Sequence, residues 1–149
     1  MSSQLGQEEL AWLTTLPESV SIDDVFYCHA TPRSDEEIVT PETPDELLEE
    51  MLAGVDERLV VGGHTHMQQR RGRYVNAGSV GMPYEGEVAA FWAVVGDDAD
   101  FRRTPFDVER ALAETRRSAW PPAETFAAEN LVQSPTRAEA TAQFRPAGT

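Results

Sequence analysis

The sequence predicts an α/β fold for this chain of 149 residues. Short runs of β-branched and apolar residues, punctuated by glycine, proline and paired aspartates, alternate with stretches of helical periodicity. Hydrophobic residues make up 40% of the chain, enough to bury a core rather than stay disordered. The length fits one ordinary domain.

The first helix is expected from Gln7 to about Leu16, with Gly6 as N-cap, Glu9 three residues on, and Leu5 and Leu10 at the positions of a hydrophobic staple. Pro17 stops it. Two short strands follow, around Val20–Ile22 and Val25–His29, with Asp23-Asp24 as the turn. Residues 30–43 are rich in proline and acid and read as a surface loop. Thr43-Pro44-Asp45-Glu46 then predicts a helix start, with Thr43 as N-cap, Pro44 at the first helical position and Glu46 closing a capping box. Leu47, Leu48, Met51 and Leu52 form its apolar stripe, and Gly54 suits its end.

Leu59-Val60-Val61 is a continuous apolar run, as a buried strand requires, and leads directly into Gly62-Gly63-His64-Thr65-His66. A hairpin is expected from Met67–Arg70 and Arg73–Asn76 around Arg71-Gly72. Val88–Val95 and Asp100–Pro105 read as two more strands. Asp107 can cap a helix through Arg117, carrying Val108, Ala111, Leu112 and Thr115 on one face. A short helix is expected from the Trp120-Pro121-Pro122 region to Leu131, and residues 134–149 as a loose tail. Trp12, Trp92 and Trp120 are read as packing residues.

Composition narrows the function. Asp and Glu number 26 against 12 arginines, a net charge of −14. So acidic a chain is a poor match for nucleic acid or an anionic membrane. The charge is uneven: residues 1–60 hold 15 acids and two arginines, while residues 61–149 hold 11 acids and ten arginines. No apolar run approaches a membrane span, and the start has no basic region of a secretory signal. The lone Cys28 cannot form an internal disulfide, which suits a reducing cytoplasm, the expected location.

The three histidines are grouped by their neighbours. His64 and His66 follow a buried strand and two glycines, and His29 ends another strand. In extended backbone, residues i and i+2 point to the same side, roughly 6.5–7 Å apart. Two imidazoles so placed can reach one metal, or one each of a pair about 3.5–4 Å apart. A bare H-x-H is also compatible with two exposed loop histidines; the strand and glycines before it favour metal. Arg33 and Ser79 are candidate substrate contacts. Arg70, Arg71 and Arg73 read as a solvated hairpin edge, and Asp97, Asp98 and Asp100 as a solvated turn.

The strings Cys28-His29-Ala30-Thr31-Pro32-Arg33, Gly62-Gly63-His64-Thr65-His66 and Asn76-Ala77-Gly78-Ser79-Val80-Gly81-Met82-Pro83 resemble, in order and spacing, the C-terminal motifs of calcineurin-like metallophosphoesterases, the small bacterial and archaeal phosphodiesterase branch above all. The resemblance covers roughly residues 5–117. It implies a layered sandwich of the α+β type, the C-terminal portion of a four-layer αββα fold, over residues 1–118, with residues 119–149 left as the short helix and tail. It implies His29 and His64 as ligands of one metal and His66 as ligand of another. The cofactor would be a pair of divalent ions (Mn, Fe, Zn or Ni), and the reaction hydrolysis of a phosphoester.

The family's D-x-H, G-D and G-N-H-[DE] motifs, which precede these, have no counterpart here; the only Gly-Asp, Gly96-Asp97, comes too late in the chain. Residues 1–149 are therefore expected to be inactive alone and to need a partner carrying the other half, or to self-associate through an uncovered sheet face. Val60, Phe91, Ala93 and Val95 are the strand positions expected to be affected. The alternative is a non-catalytic scaffold or binding module that keeps the fold with a vestigial or single-metal site.

Overall fold

The computed structural model describes residues 5–118 and 120–145. Five short strands make one mixed sheet: β1 (Ser19–Ile22), β2 (Val25–Cys28), β3 (Leu59–Gly62), β4 (Gln68–Arg71) and β5 (Tyr74–Ala77), in the order β1-β2-β3-β5-β4. β2, β3 and β5 run parallel, and the antiparallel hairpin partners β1 and β4 close the two edges. Asp23 and Asp24 both take positive φ (50° and 61°), the backbone of a tight two-residue hairpin turn.

The register puts Phe26, Val60 and Tyr74 side by side on one face and Tyr27, Val61 and Val75 on the other. Over the first face lies α2 (Asp45–Met51), which joins β2 to β3; Val39, Leu48, Met51 and Leu52 pack there with Val60 and Tyr74. Against the second lies a separate hairpin, β6 (Ala90–Val95) and β7 (Ala99–Thr104), whose Val95, Ala99 and Phe101 meet Val25, Leu59 and Val75. Leu59-Val60-Val61 is apolar without alternation because both faces of β3 are covered. Arg58 ties the hairpin down, donating to the carbonyls of Gly96 (2.6 Å) and Asp97 (2.8 Å).

Several expectations need correction. The helix α1 (Gln7–Leu13) stops short of Leu16, because the Thr14 and Thr15 hydroxyls bond back to the Ala11 and Trp12 carbonyls and tighten the last turn. Thr43 does not cap α2: its hydroxyl accepts from the Thr40 amide (2.9 Å), and the helix starts after Pro44. Leu47 points outward, leaving Leu48, Met51 and Leu52 as the buried stripe.

Trp12 is 60% exposed, and α1 buries no residue. Val60 and Phe91 are buried rather than uncovered; the exposed apolar strand residues are Val20 and Ile22 of β1 and Trp92 and Val94 of β6. Asp107 caps α3 (Val108–Arg117) as expected, accepting from the Arg110 amide at 3.0 Å. α4 (Ala123–Phe126) runs on as a π-helical turn through Leu131, and Ala127 and Leu131 pack on Leu112.

The largest difference lies in the tail. Thr136 and Glu139 form a reciprocal capping box that starts a further helix, α5 (Arg137–Phe144), with Ala140 and Thr141 buried. Only the last four residues of the expected tail fall outside the described residues. Among the described residues no helix is long and apolar enough to cross a membrane.

Candidate metal centre

Because β2, β3 and β5 are parallel neighbours, their C-terminal ends lie along one edge of the sheet, where open α/β sheets bind ligands. His29 follows β2, the Gly62–His66 segment closes β3, and Gly78 and Ser79 follow β5. The Gly63 amide donates to the His29 carbonyl (2.7 Å), locking the first two together. Gly62 has no room for a side chain: a Cβ there would collide with the Ala30 carbonyl and sit 2.7 Å from the Tyr74 hydroxyl.

The histidine loop is not extended. His64 and His66 both hold left-handed backbone, with φ of 65° and 56°. For a residue other than glycine this costs about 1–3 kcal/mol each and needs surroundings that enforce it. Two buried polar side chains, Thr65 and Asn76, do so. The Thr65 hydroxyl donates to the Val39 carbonyl (3.0 Å), and the Asn76 amide donates to the Gly63 carbonyl (2.5 Å) and to Thr65 Oγ1 (3.1 Å). Asn76 Oδ1 accepts from the Gly78 amide at 2.9 Å, so one side chain couples the ends of β3 and β5. Both residues lie inside the motifs quoted above, and a polar residue within an otherwise apolar strand is the signal for Asn76.

The loop geometry parts the two histidines that extended spacing would have kept alike. His64 turns to His29: Nδ1 of the former and Nε2 of the latter are 3.0 Å apart, one donating to the other, with the rings edge-on at 4.9 Å. His66 instead donates from Nδ1 to the Met82 carbonyl (2.9 Å), which leaves Nε2 as the free lone pair, and packs against Tyr84 at 5.2 Å. Such an outer hydrogen bond is how a ligating imidazole is oriented. Burial lowers the pKa of His64, with the neighbouring His29 adding to it and the loop acids Asp35 and Glu36 opposing. Burial likewise lowers that of His66, against the bond to Met82. Both shifts favour the neutral ring, the state a metal ligand requires.

Ser79 lies in the tight loop after β5, where its hydroxyl accepts from the Met82 amide (3.0 Å) and helps hold out the carbonyl that His66 uses. Arg33 lines a cleft of about 180 Å³ with His29, Ser34 and Asp35, but its guanidinium is paired with Glu37, Nε to Oε1 at 2.7 Å. Arg71 and Arg73 anchor backbone carbonyls of Thr40, Leu52 and Glu57. Cys28 stands half-buried behind His29, and desolvation pushes its thiol up to about 11, so it is no nucleophile at neutral pH.

The donor set fits nitrogen ligation of a borderline metal through the His29–His64 pair. Among the described residues, however, no group of three or more His, Cys, Asp or Glu side chains is gathered to hold an ion.

In structural comparison the chain matches a metallophosphoesterase from Sphaerobacter thermophilus with a TM-score of 0.69 at 21% identity, over 94% of this chain. The chain has a metallophosphoesterase-like fold. A hypothetical protein from Pyrococcus horikoshii OT3 matches with a TM-score of 0.64 at 18% identity, over 84% of this chain. No family model matches the sequence, and neither does any curated protein. The chain spans 64% and 55% of the length of these two structures. The aligned share of this chain is longer than the region of motif resemblance, and α5 touches the residues that follow His66.

Proposed function

We propose that the chain carries the histidine half of a dinuclear phosphoesterase centre. His29 and His64 are nitrogen ligands of one divalent metal, and His66 is a ligand of the second. The observation that supports this is the convergence of His29 Nε2 and His64 Nδ1 to 3.0 Å at the ends of adjacent parallel strands. Two nitrogens bound to one tetrahedral ion at about 2.0–2.1 Å are about 3.3 Å apart, so a small outward shift of either ring suffices. Mn, Fe, Zn and Ni all suit such donors. Held by these histidines, divalent ions would supply Lewis acidity toward a phosphoryl oxygen and lower the pKa of water.

The chain's own residues orient and restrain. The Met82 carbonyl fixes the tautomer of His66, and Asn76 and Thr65 hold the loop. The Ser79 hydroxyl keeps its proton to donate to a phosphoester oxygen, whereas Arg33 must leave Glu37 to do the same. Three imidazoles bring no negative charge, and two dications a few ångströms apart repel strongly unless carboxylates offset them. Catalysis in this reading needs acids from a second polypeptide segment. The exposed faces of α1, β1 and β6 are its docking surface, and the reducing cytoplasm is its compartment.

The test is zinc titration by calorimetry, followed by an assay with a chromogenic phosphodiester and Mn²⁺. We expect one zinc per chain, lost in His64→Ala, and hydrolysis equal to buffer plus Mn²⁺. Activity should emerge once a polypeptide carrying the D-x-H, G-D and G-N-H motifs is added. No zinc uptake overturns the ligand assignment; turnover by residues 1–149 alone, abolished by His64→Ala, overturns the charge argument.

A second reading, a non-catalytic binding module, is favoured by the same exposed surface. Under it, a partner binds with equal affinity to His64→Ala.

A further inference from the structure

The geometry points to the C-terminal helix α5 as a positioning element for His66, acting through Tyr84 and Glu85. Three segments are stacked edge to edge. The innermost is His66-Met67-Gln68, the middle one Pro83-Tyr84-Glu85-Gly86, and the outer one Ser134 to Arg137 with the helix that follows.

The inner contacts hold the backbone that leaves His66. The Tyr84 amide donates to the His66 carbonyl at 3.1 Å, and the Gln68 amide donates to Glu85 Oε1 at 2.5 Å. The outer contacts hold the middle segment. Ser134 Oγ donates to the Pro83 carbonyl (2.6 Å), and the Gly86 amide donates to the Pro135 carbonyl (2.9 Å).

Arg137 spans all three segments. Its Nη1 donates to the Gln68 carbonyl (2.5 Å) and to both Glu85 oxygens (3.0 and 3.1 Å), and the Glu85 side chain is only 10% exposed. At the far end of α5, Phe144 packs on Tyr84 at 6.1 Å, Tyr84 packs on His66 at 5.2 Å, and Thr141 Oγ1 reaches Met67 Sδ at 3.8 Å.

Left-handed backbone at a histidine persists only where its neighbours leave no alternative. Asn76 and Thr65 secure the His64 side of the loop, but the two residues after His66 are held from outside by Glu85, Arg137 and Thr141. A charged, half-buried bridge across two backbone groups is far stiffer than a solvated ion pair, because each hydrogen bond has an ionised partner. The segment beyond the motif resemblance therefore sets the direction in which Nε2 of His66 points.

This rests on His66 having a functional role, and it is tested without metal, so failure of the metal assignment is read separately in the zinc titration. The full chain, labelled with ¹⁵N, reports the tautomer of each imidazole by long-range proton–nitrogen spectra and the exchange rate of each amide. In the unsubstituted chain His66 is expected as the Nδ1–H tautomer.

Arg137→Ala and Phe144→Ala should shift the His66 ring nitrogens toward mixed tautomers while those of His29 and His64 stay in place. Exchange of the Gln68 amide should rise about tenfold or more in Arg137→Ala, because its acceptor Glu85 loses the guanidinium that holds it and the Gln68 carbonyl loses the same charged donor. Arg137→Lys, which still reaches Glu85, should restore part of the His66 signature. If Arg137→Ala does not fold, Phe144→Leu carries the same readout. Unchanged His66 nitrogens in the folded variants overturn the inference, as does a common shift of all three histidines, which would mean general loosening.

Discussion

The two ends of the five-stranded sheet are treated very differently. At the C-terminal ends of β2, β3 and β5, strained histidines are enclosed by buried Thr65 and Asn76, by the Ser79–Met82 turn and by α5. At the β1 edge the whole strand is exposed, Val20 and Ile22 included, and in the segment before it Trp12, Leu13 and Leu16 stand in solvent. The lesson is where folding free energy was concentrated. Polar groups that shape the histidine loop are almost fully satisfied, while apolar groups along β1 and α1 stay exposed.

The comparison can be broken most sharply in the core. Leu52→Ala, fully buried under the sheet, should lower stability by about 3 kcal/mol, whereas Ile22→Ala should change it by less than about 0.5 kcal/mol. Denaturant melts of the two variants measure this directly. Similar losses in both would mean that β1 is covered in solution, and sedimentation would then show self-association.

Asn76→Ala should cost about 2 kcal/mol, because it strands the buried Thr65 hydroxyl as an acceptor and frees the Gly63 carbonyl. It should also weaken zinc uptake at His64. Asn76→Ala with unchanged stability would remove the claim that this residue enforces the loop.

A smaller effect is expected from acid. Burial lowers the pKa values of His64 and His66, so the unfolded chain takes up protons near the ordinary histidine value of about 6.5 while the folded chain does not. Their contribution to stability is whole above that range and declines as the pH falls through it toward the folded values. Stability against pH for the chain and for His64→Gln/His66→Gln should differ in slope there, the variant being flatter.

The smallest expected effect is chemical. Cys28, its thiol pushed up to about 11, should resist alkylation at pH 8 in the folded chain and react promptly in denaturant. Fast reaction when folded would mean that the end of β2 opens.

Much of this was legible in the sequence for local reasons. Asp23-Asp24 read as a turn, Leu59-Val60-Val61 as a buried strand, and Asp107 as the cap of the helix after it, because backbone conformation and periodicity act over a few residues. That His29 and His64 stand at neighbouring strand ends was likewise readable from the motifs around them.

What the sequence did not reveal depended on which group reached a hydrogen bond first. Thr43 looked like a cap until Thr40 claimed its hydroxyl, and Trp12 looked like a packing residue although α1 buries no residue and Trp12 is 60% exposed. Residues 134–145 looked loose because α5 has little amphipathic signal of its own; it is held by Arg137 on Glu85 and Thr141 on Met67, partners 52 and 74 residues away. The sequence alone determined that three imidazoles stand at strand ends. Only the tertiary structure decided that His64 faces His29 while His66 faces Met82, since two left-handed residues swing their side chains apart and only long-range contacts can hold them there.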